Sequence, residues 1–162
     1  MRVISDNYHA PLARQTSLSI VVAVYNEQEV LAHFHNQLAA VLNTLSNIKS
    51  EIIYINDGSS DDTWDILKTL PATGFAIKLF NLSRNFGKEA AMTAGLDHAN
   101  SDAIILLDAD LQDPPELIPK MIASWQQGYD VVNMRRSQRH GESKLKKWTA
   151  HAFYRLLAFM SD

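Results

Sequence analysis

The chain has 162 residues, 46% of them hydrophobic and 20% charged, which suits one globular domain with a sizeable core and does not suit a disordered chain. A formal net charge of -3 argues against general nucleic-acid binding, and the absence of cysteine excludes disulfides and thiolate metal sites. No apolar run approaches the ~18–20 residues of a membrane span and the first residues carry no secretion-signal pattern, so the chain reads as soluble or peripheral.

Residues Met1–Ser17 are mixed and aperiodic, with Pro11, and read as a loose leader to a domain covering residues 18–162. Leu18–Val24 is a first buried strand, rich in β-branched residues. A helix is predicted from about Glu27 to Leu45, with Val30, Leu31, Phe34, Leu38, Val41 and Leu42 at helical spacing. Glu51–Asn56 is a second strand, closed by Asp57-Gly58-Ser59-Ser60, and Asp61 or Ser60 can cap the helix that follows to about Leu70. Ala76–Asn81 is a third strand, followed by a helix from about Glu89 to His98. Ala103–Leu107 is a fourth strand whose continuous apolar residues predict burial on both faces. A helix over Pro115–Gln127 has proline near its first turn and ends at Gly128, and Tyr129–Asn133 is a fifth strand. Arg135–Gly141 reads as a basic loop and Lys144–Met160 as an amphipathic helix striped by Leu145, Trp148, Ala152, Leu156 and Phe159. The alternation of strand and helix predicts a three-layer α/β/α domain with a mostly parallel sheet and right-handed crossovers.

Polar residues follow one strand after another: Tyr25-Asn26-Glu27, Asp57-Gly58-Ser59, Asp108-Ala109-Asp110 and Arg135. In a parallel sheet those points share one edge, where ligands collect. Asp108 and Asp110, two apart at a strand end, can both turn toward one hard cation, and Mg²⁺ or Mn²⁺ fits such oxygen donors together with substrate phosphates. An isolated Asp-x-Asp is more often a solvated loop, and Asp57 or Asp61 taken alone is as readily a helix cap. Acids after three separate strands are harder to assign to capping. A cleft so rich in carboxylates repels a diphosphate unless metal and basic groups compensate, and Arg135, Arg136 and Arg139 offer bidentate phosphate donors. Residues Arg135–Lys147 carry six basic and one acidic side chain, a local +5 that leaves -8 on the rest of the chain. No glycine-rich phosphate loop and no Gly-x-Ser-x-Gly elbow is present, and the six histidines show no metal-ligand pairing.

Four stretches, in order, resemble the inverting family-2 glycosyltransferases of nucleotide-sugar (GT-A) fold: Val-Val-Ala-Val-Tyr-Asn-Glu27, Ile55-Asn-Asp57-Gly-Ser-Ser-Asp61, Leu82-Ser-Arg-Asn-Phe-Gly87 and Leu107-Asp-Ala-Asp-Leu-Gln-Asp-Pro-Pro-Glu116. The last two are similar to the polyisoprenyl-phosphate branch, the dolichyl-phosphate mannose synthases and bactoprenol glucosyltransferases. The resemblance implies that Ala23, Tyr25 and Glu27 contact base and ribose, where many relatives have proline at the place of Ala23. It implies a second nucleoside contact at Ile55 and Asp57, with Asn56 replacing a frequent Asp. Asp108, Ala109, Asp110 and Gln112 match the metal and diphosphate motif, with Asp108, Asp110 and Gln112 as the implied metal set. Val132 and Arg135 match contacts of the fifth strand to the donor, and Asp108, Asp110 and Arg135 are the implied catalytic residues.

The resemblance further implies transfer of a hexose from a nucleotide diphosphate sugar to a polyprenyl phosphate, with Mg²⁺ or Mn²⁺ as cofactor, at the inner face of the cytoplasmic membrane. Such enzymes normally continue beyond this length, so the chain reads as a C-terminally incomplete catalytic domain. The alternatives are a transferase to a sugar hydroxyl of a polysaccharide, and a remnant that binds nucleotide sugar without turnover. A nucleotidyltransferase ranks lower, for want of a glycine-rich loop. The basic run and the last helix are expected to face an anionic membrane surface, with packing of that helix on the sheet as the competing reading. Oligomeric state is not legible, and a homo-oligomer stays open.

Overall fold

Strands β1 (Thr16–Val24), β2 (Ile48–Asn56), β3 (Ala76–Asn81) and β4 (Ala103–Asp108) form one parallel sheet in the order β3-β2-β1-β4. The computed structural model describes residues 16–45, 47–110 and 113–134. β1 and β2 are central and buried on both faces, as their runs of Ile, Val and Leu require: Ile20, Val21, Val22, Ile52, Ile53 and Ile55 are inaccessible to solvent. The first two residues of β1, Thr16 and Ser17, fall in what the sequence suggested was leader.

β4 differs from the expectation. Ile105 and Leu107 are buried, while Ile104 and Leu106 on the opposite face are 39% and 48% exposed. The cause is the position of the third helix, which packs over β1 and β2. That helix, α3 (Lys88–Asp97), has no long apolar stripe; it docks through Ala91 and Gly95, one turn apart. A Cβ on Gly95 would lie 2.3 Å from Val21 Cγ1, so only glycine allows this approach.

The opposite face is covered by α1 (Leu31–Leu42), whose Leu31, Phe34, Leu38 and Leu42 are buried at the predicted spacing. Regular helix starts later than predicted, because the carbonyl of Glu27 accepts from both Val30 N and Leu31 N in a tight turn. α2 (Thr63–Thr69) is short; its start is held by Asp61 Oδ1, which accepts from Thr63 N at 3.1 Å. A 3-10 turn over Pro115–Leu117 leads into α4 (Ile118–Gln126), whose Ile118 and Ile122 are buried.

The chain divides into two compact units, Met1–Ala123 and Ser124–Asp162. In the second, Gly128 takes φ +97° just after α4, as expected of a helix-ending glycine. The predicted fifth strand over Tyr129–Asn133 is not formed: no residue there is in a ladder, and Val131 is 82% exposed. Two valines flanked by Asp130 and Asn133 are too weak a β signal without a neighbouring strand to pair with. The predicted basic loop Arg135–Gly141 and helix Lys144–Met160 lie outside the described residues. Among the described residues no helix is long and apolar enough to cross a membrane.

Candidate functional site

The strands end almost level. Val24 is paired with Asn56 and Asn56 with Asn81, while Asp108 is paired with Ala23, one residue short of that line. Tyr25, Asp57, Leu82 and Ala109 therefore leave the sheet along one edge. The first two of these loops are stitched together by side chains. Asn26 N donates to Ser59 Oγ (2.9 Å), Glu27 N to Thr63 Oγ1 (2.8 Å) and Gln28 N to Asp61 Oδ2 (3.3 Å). In return Ser60 N donates to Asn26 Oδ1 (2.9 Å) and Asp62 N to Gln28 Oε1 (3.0 Å). Asn26 adopts φ +55°, a left-handed conformation that asparagine tolerates better than most residues.

Asp57 joins the next loop. Its carboxylate is 2% exposed and accepts from Phe86 N (2.8 Å) and Gly87 N (2.9 Å), pinning the segment before α3. Gly58 allows the two loops to touch: at φ +66°, a Cβ there would lie 2.3 Å from the carbonyl carbon of Arg84. Behind them Asn56 is buried, with Nδ2 donating to Asn81 Oδ1 and Oδ1 accepting from Ser59 Oγ. The acid after β2 is thus a clamp on the β3–α3 loop and does not cap α2.

Between these loops and the end of β4 lies an open cleft of about 290 Å³, lined by Ala23, Tyr25, Glu27, Asp57, Lys88, Asp108, Ala109 and Asp110 among others. Lys88 Nζ donates to Asp108 Oδ2 at 2.5 Å. The hydrogen bond to Asp108, with the charges of Asp108, Asp110 and Asp113, holds the Lys88 ammonium above its ordinary pKa against the opposing effect of burial. Glu27 is also pushed up, first by burial and then by the negative charges of Asp110, Asp61 and Asp108. Among the described residues, four carboxylates and one ammonium line this cleft.

The fold thus brings together Ala23, Tyr25, Glu27, Asp57, Asp108, Ala109 and Asp110, all singled out from sequence. Ile55 is fully buried in the core with Val21, Ile53 and Ala91, so its side chain supports the cleft from beneath. Val132 lies in the irregular stretch of the second unit, and Gln112 and Arg135 lie outside the described residues. Lys88 and Asn85 in the lining were not among the site residues singled out from sequence, although Asn85 falls within the matched Leu82–Gly87 stretch; for Lys88, a lysine directly after a glycine at a helix start was the available signal. Among the described residues no three side chains group to hold a metal ion by themselves. Asp108 and Asp110 do supply two hard oxygen donors at one strand end, which suits Mg²⁺ or Mn²⁺ when phosphate and water complete the shell.

A parallel α/β sheet with an acid-lined cleft along the carboxyl ends of its strands is the architecture of nucleotide-sugar-binding (GT-A) domains. The chain belongs to glycosyl transferase family 2, whose family model matches residues 19–161. It is 47% identical over 145 residues to an uncharacterized glycosyltransferase of Synechocystis sp., covering 90% of this chain and 45% of that protein. It is 45% identical over 139 residues to a prophage bactoprenol glucosyl transferase homolog of Escherichia coli K12, covering 86% of this chain and 45% of the relative. The chain therefore spans a little under half the length of these curated relatives. S. aureus TarS 1-349 in complex with UDP superposes with a TM-score of 0.54 at 20% identity, over 76% of this chain and 38% of that one, a likeness of fold alone.

Proposed function

We propose that this chain carries the donor-binding part of a transferase that moves a hexose, glucose by analogy with the bactoprenol relatives, from a nucleoside diphosphate sugar to a polyprenyl phosphate. The observation that carries the reading is the convergence of Asp108 and Asp110 with Glu27 and Asp57 on one cleft at the carboxyl edge of the sheet. Relatives named as bactoprenol glucosyl transferases, and a UDP complex of the same fold, support the acceptor and donor classes.

In this reading Tyr25 and Glu27 face the nucleoside, with the Glu27 carboxylate accepting from a ribose hydroxyl. Asp57 acts on the nucleoside wall by fixing the Phe86–Gly87 backbone. Asp110 and Asp108 would hold Mg²⁺ or Mn²⁺, which when bound offsets charge growing on the leaving diphosphate. Gln112 and Arg135 are assigned to the same diphosphate from the sequence motif. The acceptor phosphate, with a second pKa of about 6, is largely ionised at neutral pH and needs no protein base to attack the anomeric carbon. The basic run Arg135–Lys147 supports a membrane-facing acceptor side, where each Lys or Arg near an anionic surface is worth about 1 kcal/mol.

The test is calorimetric titration of UDP and GDP with and without Mn²⁺, beside a glucose-transfer assay to undecaprenyl phosphate. Asp110→Asn is expected to lower the Mn²⁺-dependent part of diphosphate affinity by about tenfold or more while leaving the fold intact, because it removes charge from a hard-cation site. Unchanged metal-dependent affinity would sink the assignment.

A further inference from the structure

Lys88 is the only basic side chain lining the cleft among the described residues, and the reaction just outlined leaves it without a role. Its ammonium is bonded to Asp108 Oδ2, and both side chains are reachable by solvent, at 56% and 29% exposure. Its backbone is fixed, because the Asp57 carboxylate binds the amides of Phe86 and Gly87 immediately before it. A flexible stem on a fixed base lets the ammonium, a compact point charge, change partners without moving the loop.

We propose that Lys88 is a positioning residue that exchanges partners: it holds Asp108 before the donor arrives, and passes to the donor's diphosphate oxygens when a divalent cation takes the Asp108 carboxylate. The inference rests on the reading of the cleft as a diphosphate-sugar site. Two cations on one carboxylate oxygen repel, so the metal and Lys88 compete for Asp108. The incoming diphosphate is anionic and meets a lining that already holds Glu27, Asp57, Asp108 and Asp110. A displaced ammonium within side-chain reach supplies the compensation that the two aspartates cannot.

Competition predicts effects of opposite sign, which a structural role would not produce. Lys88→Met in the full chain should bind Mn²⁺ alone roughly threefold more tightly, the scale of losing one partly exposed ion pair. At saturating Mn²⁺ the same variant should bind UDP about tenfold more weakly, the scale of losing a hydrogen bond to a charged group. Lys88→Arg should restore UDP binding and keep the wild-type affinity for Mn²⁺. Mn²⁺ affinity that is unchanged or lower in Lys88→Met, with a melting temperature at the wild-type value, overturns the exchange. A variant that loses both affinities together with its melting temperature also overturns it, since Lys88 would then be holding the fold. If wild-type protein binds UDP without regard to Mn²⁺, the cleft reading itself fails. If wild-type binding is metal-dependent and Lys88→Met reproduces it, only the role of Lys88 fails.

Discussion

The two ends of one sheet use similar residues to opposite effect. At the amino ends of the strands, Asp102 Oδ2 accepts from Ser17 N and Ser17 Oγ at 2.9 and 2.7 Å. Glu51 accepts from Ser19 Oγ at 2.7 Å and pairs with Lys78 at 2.9 Å, while Ser19 also donates to Ser101. These acids tie neighbouring strands and are answered by hydroxyl, amide or ammonium. At the carboxyl ends the Glu27 proton is held more tightly, first by burial and then by the fields of Asp110, Asp61 and Asp108. Accumulated like charge costs folding stability, and its retention around Glu27 marks that edge as the place where a cation and an anionic ligand are expected.

The largest expected effect comes from the residue that serves both purposes. Asp57→Ala removes a buried carboxylate that accepts from two amides, and should cost about 3 kcal/mol in urea unfolding. UDP affinity should fall with it, because the loop that carries Lys88 is released. Lost affinity at unchanged stability would make Asp57 a ligand contact alone and break the comparison.

A second test separates the core from both edges. His35 is buried, with Nε2 donating to the Pro71 carbonyl at 2.9 Å and Nδ1 accepting from the Tyr54 hydroxyl at 3.1 Å. Burial lowers its pKa, so the unfolded chain takes up the proton more readily than the folded one. Stability should therefore be complete above the ordinary histidine pKa of about 6.5 and fall as the pH drops below it, by at most about 1.4 kcal/mol per pH unit for one proton. His35→Gln should flatten that slope in urea titrations at stepped pH. A slope that survives the substitution would place the titration elsewhere.

The smallest effects sharpen the contrast most. The raised pKa of Glu27 means that the folded state holds its proton to higher pH than the unfolded state, so the ionised carboxylate opposes folding at neutral pH. Glu27→Gln should then stabilise the protein by no more than about 0.5 kcal/mol while weakening UDP binding. Glu51→Gln at the other edge should cost about 0.5 kcal/mol and leave UDP affinity alone. Matching signs for the pair in both measurements would erase the distinction between the edges.

Much of this was legible in the residues. The four strands are apolar runs bounded by turn residues, and Glu27, Asp57, Asp108 and Asp110 each follow one, so the parallel sheet and its acid-lined edge come from local pattern alone. Pairings between elements were not legible. That Asp57 clamps Phe86 and Gly87, that Asn26 and Ser60 interlock, and that Lys88 meets Asp108 all depend on loops that are distant in sequence. Tyr129–Asn133 misled because its two valines resemble a strand, whereas a strand needs a partner to pair with. The packing of α3 was hidden for the opposite reason: Ala91 and Gly95 give no apolar stripe, and the helix docks by being thin.

The level ending of the strands has a consequence for how the gene can vary in length. Because successive side chains point to opposite faces, deleting one residue within β4 would turn Asp108 to the other side of the sheet and draw it back by about 3.3 Å. An insertion in the α1–β2 connection near Asn43–Thr44 moves no strand end. Length polymorphism should therefore be tolerated in that connection and rejected in the strands. A scan of single-codon insertions and deletions, scored by UDP binding, would trace the sheet's outline strand by strand.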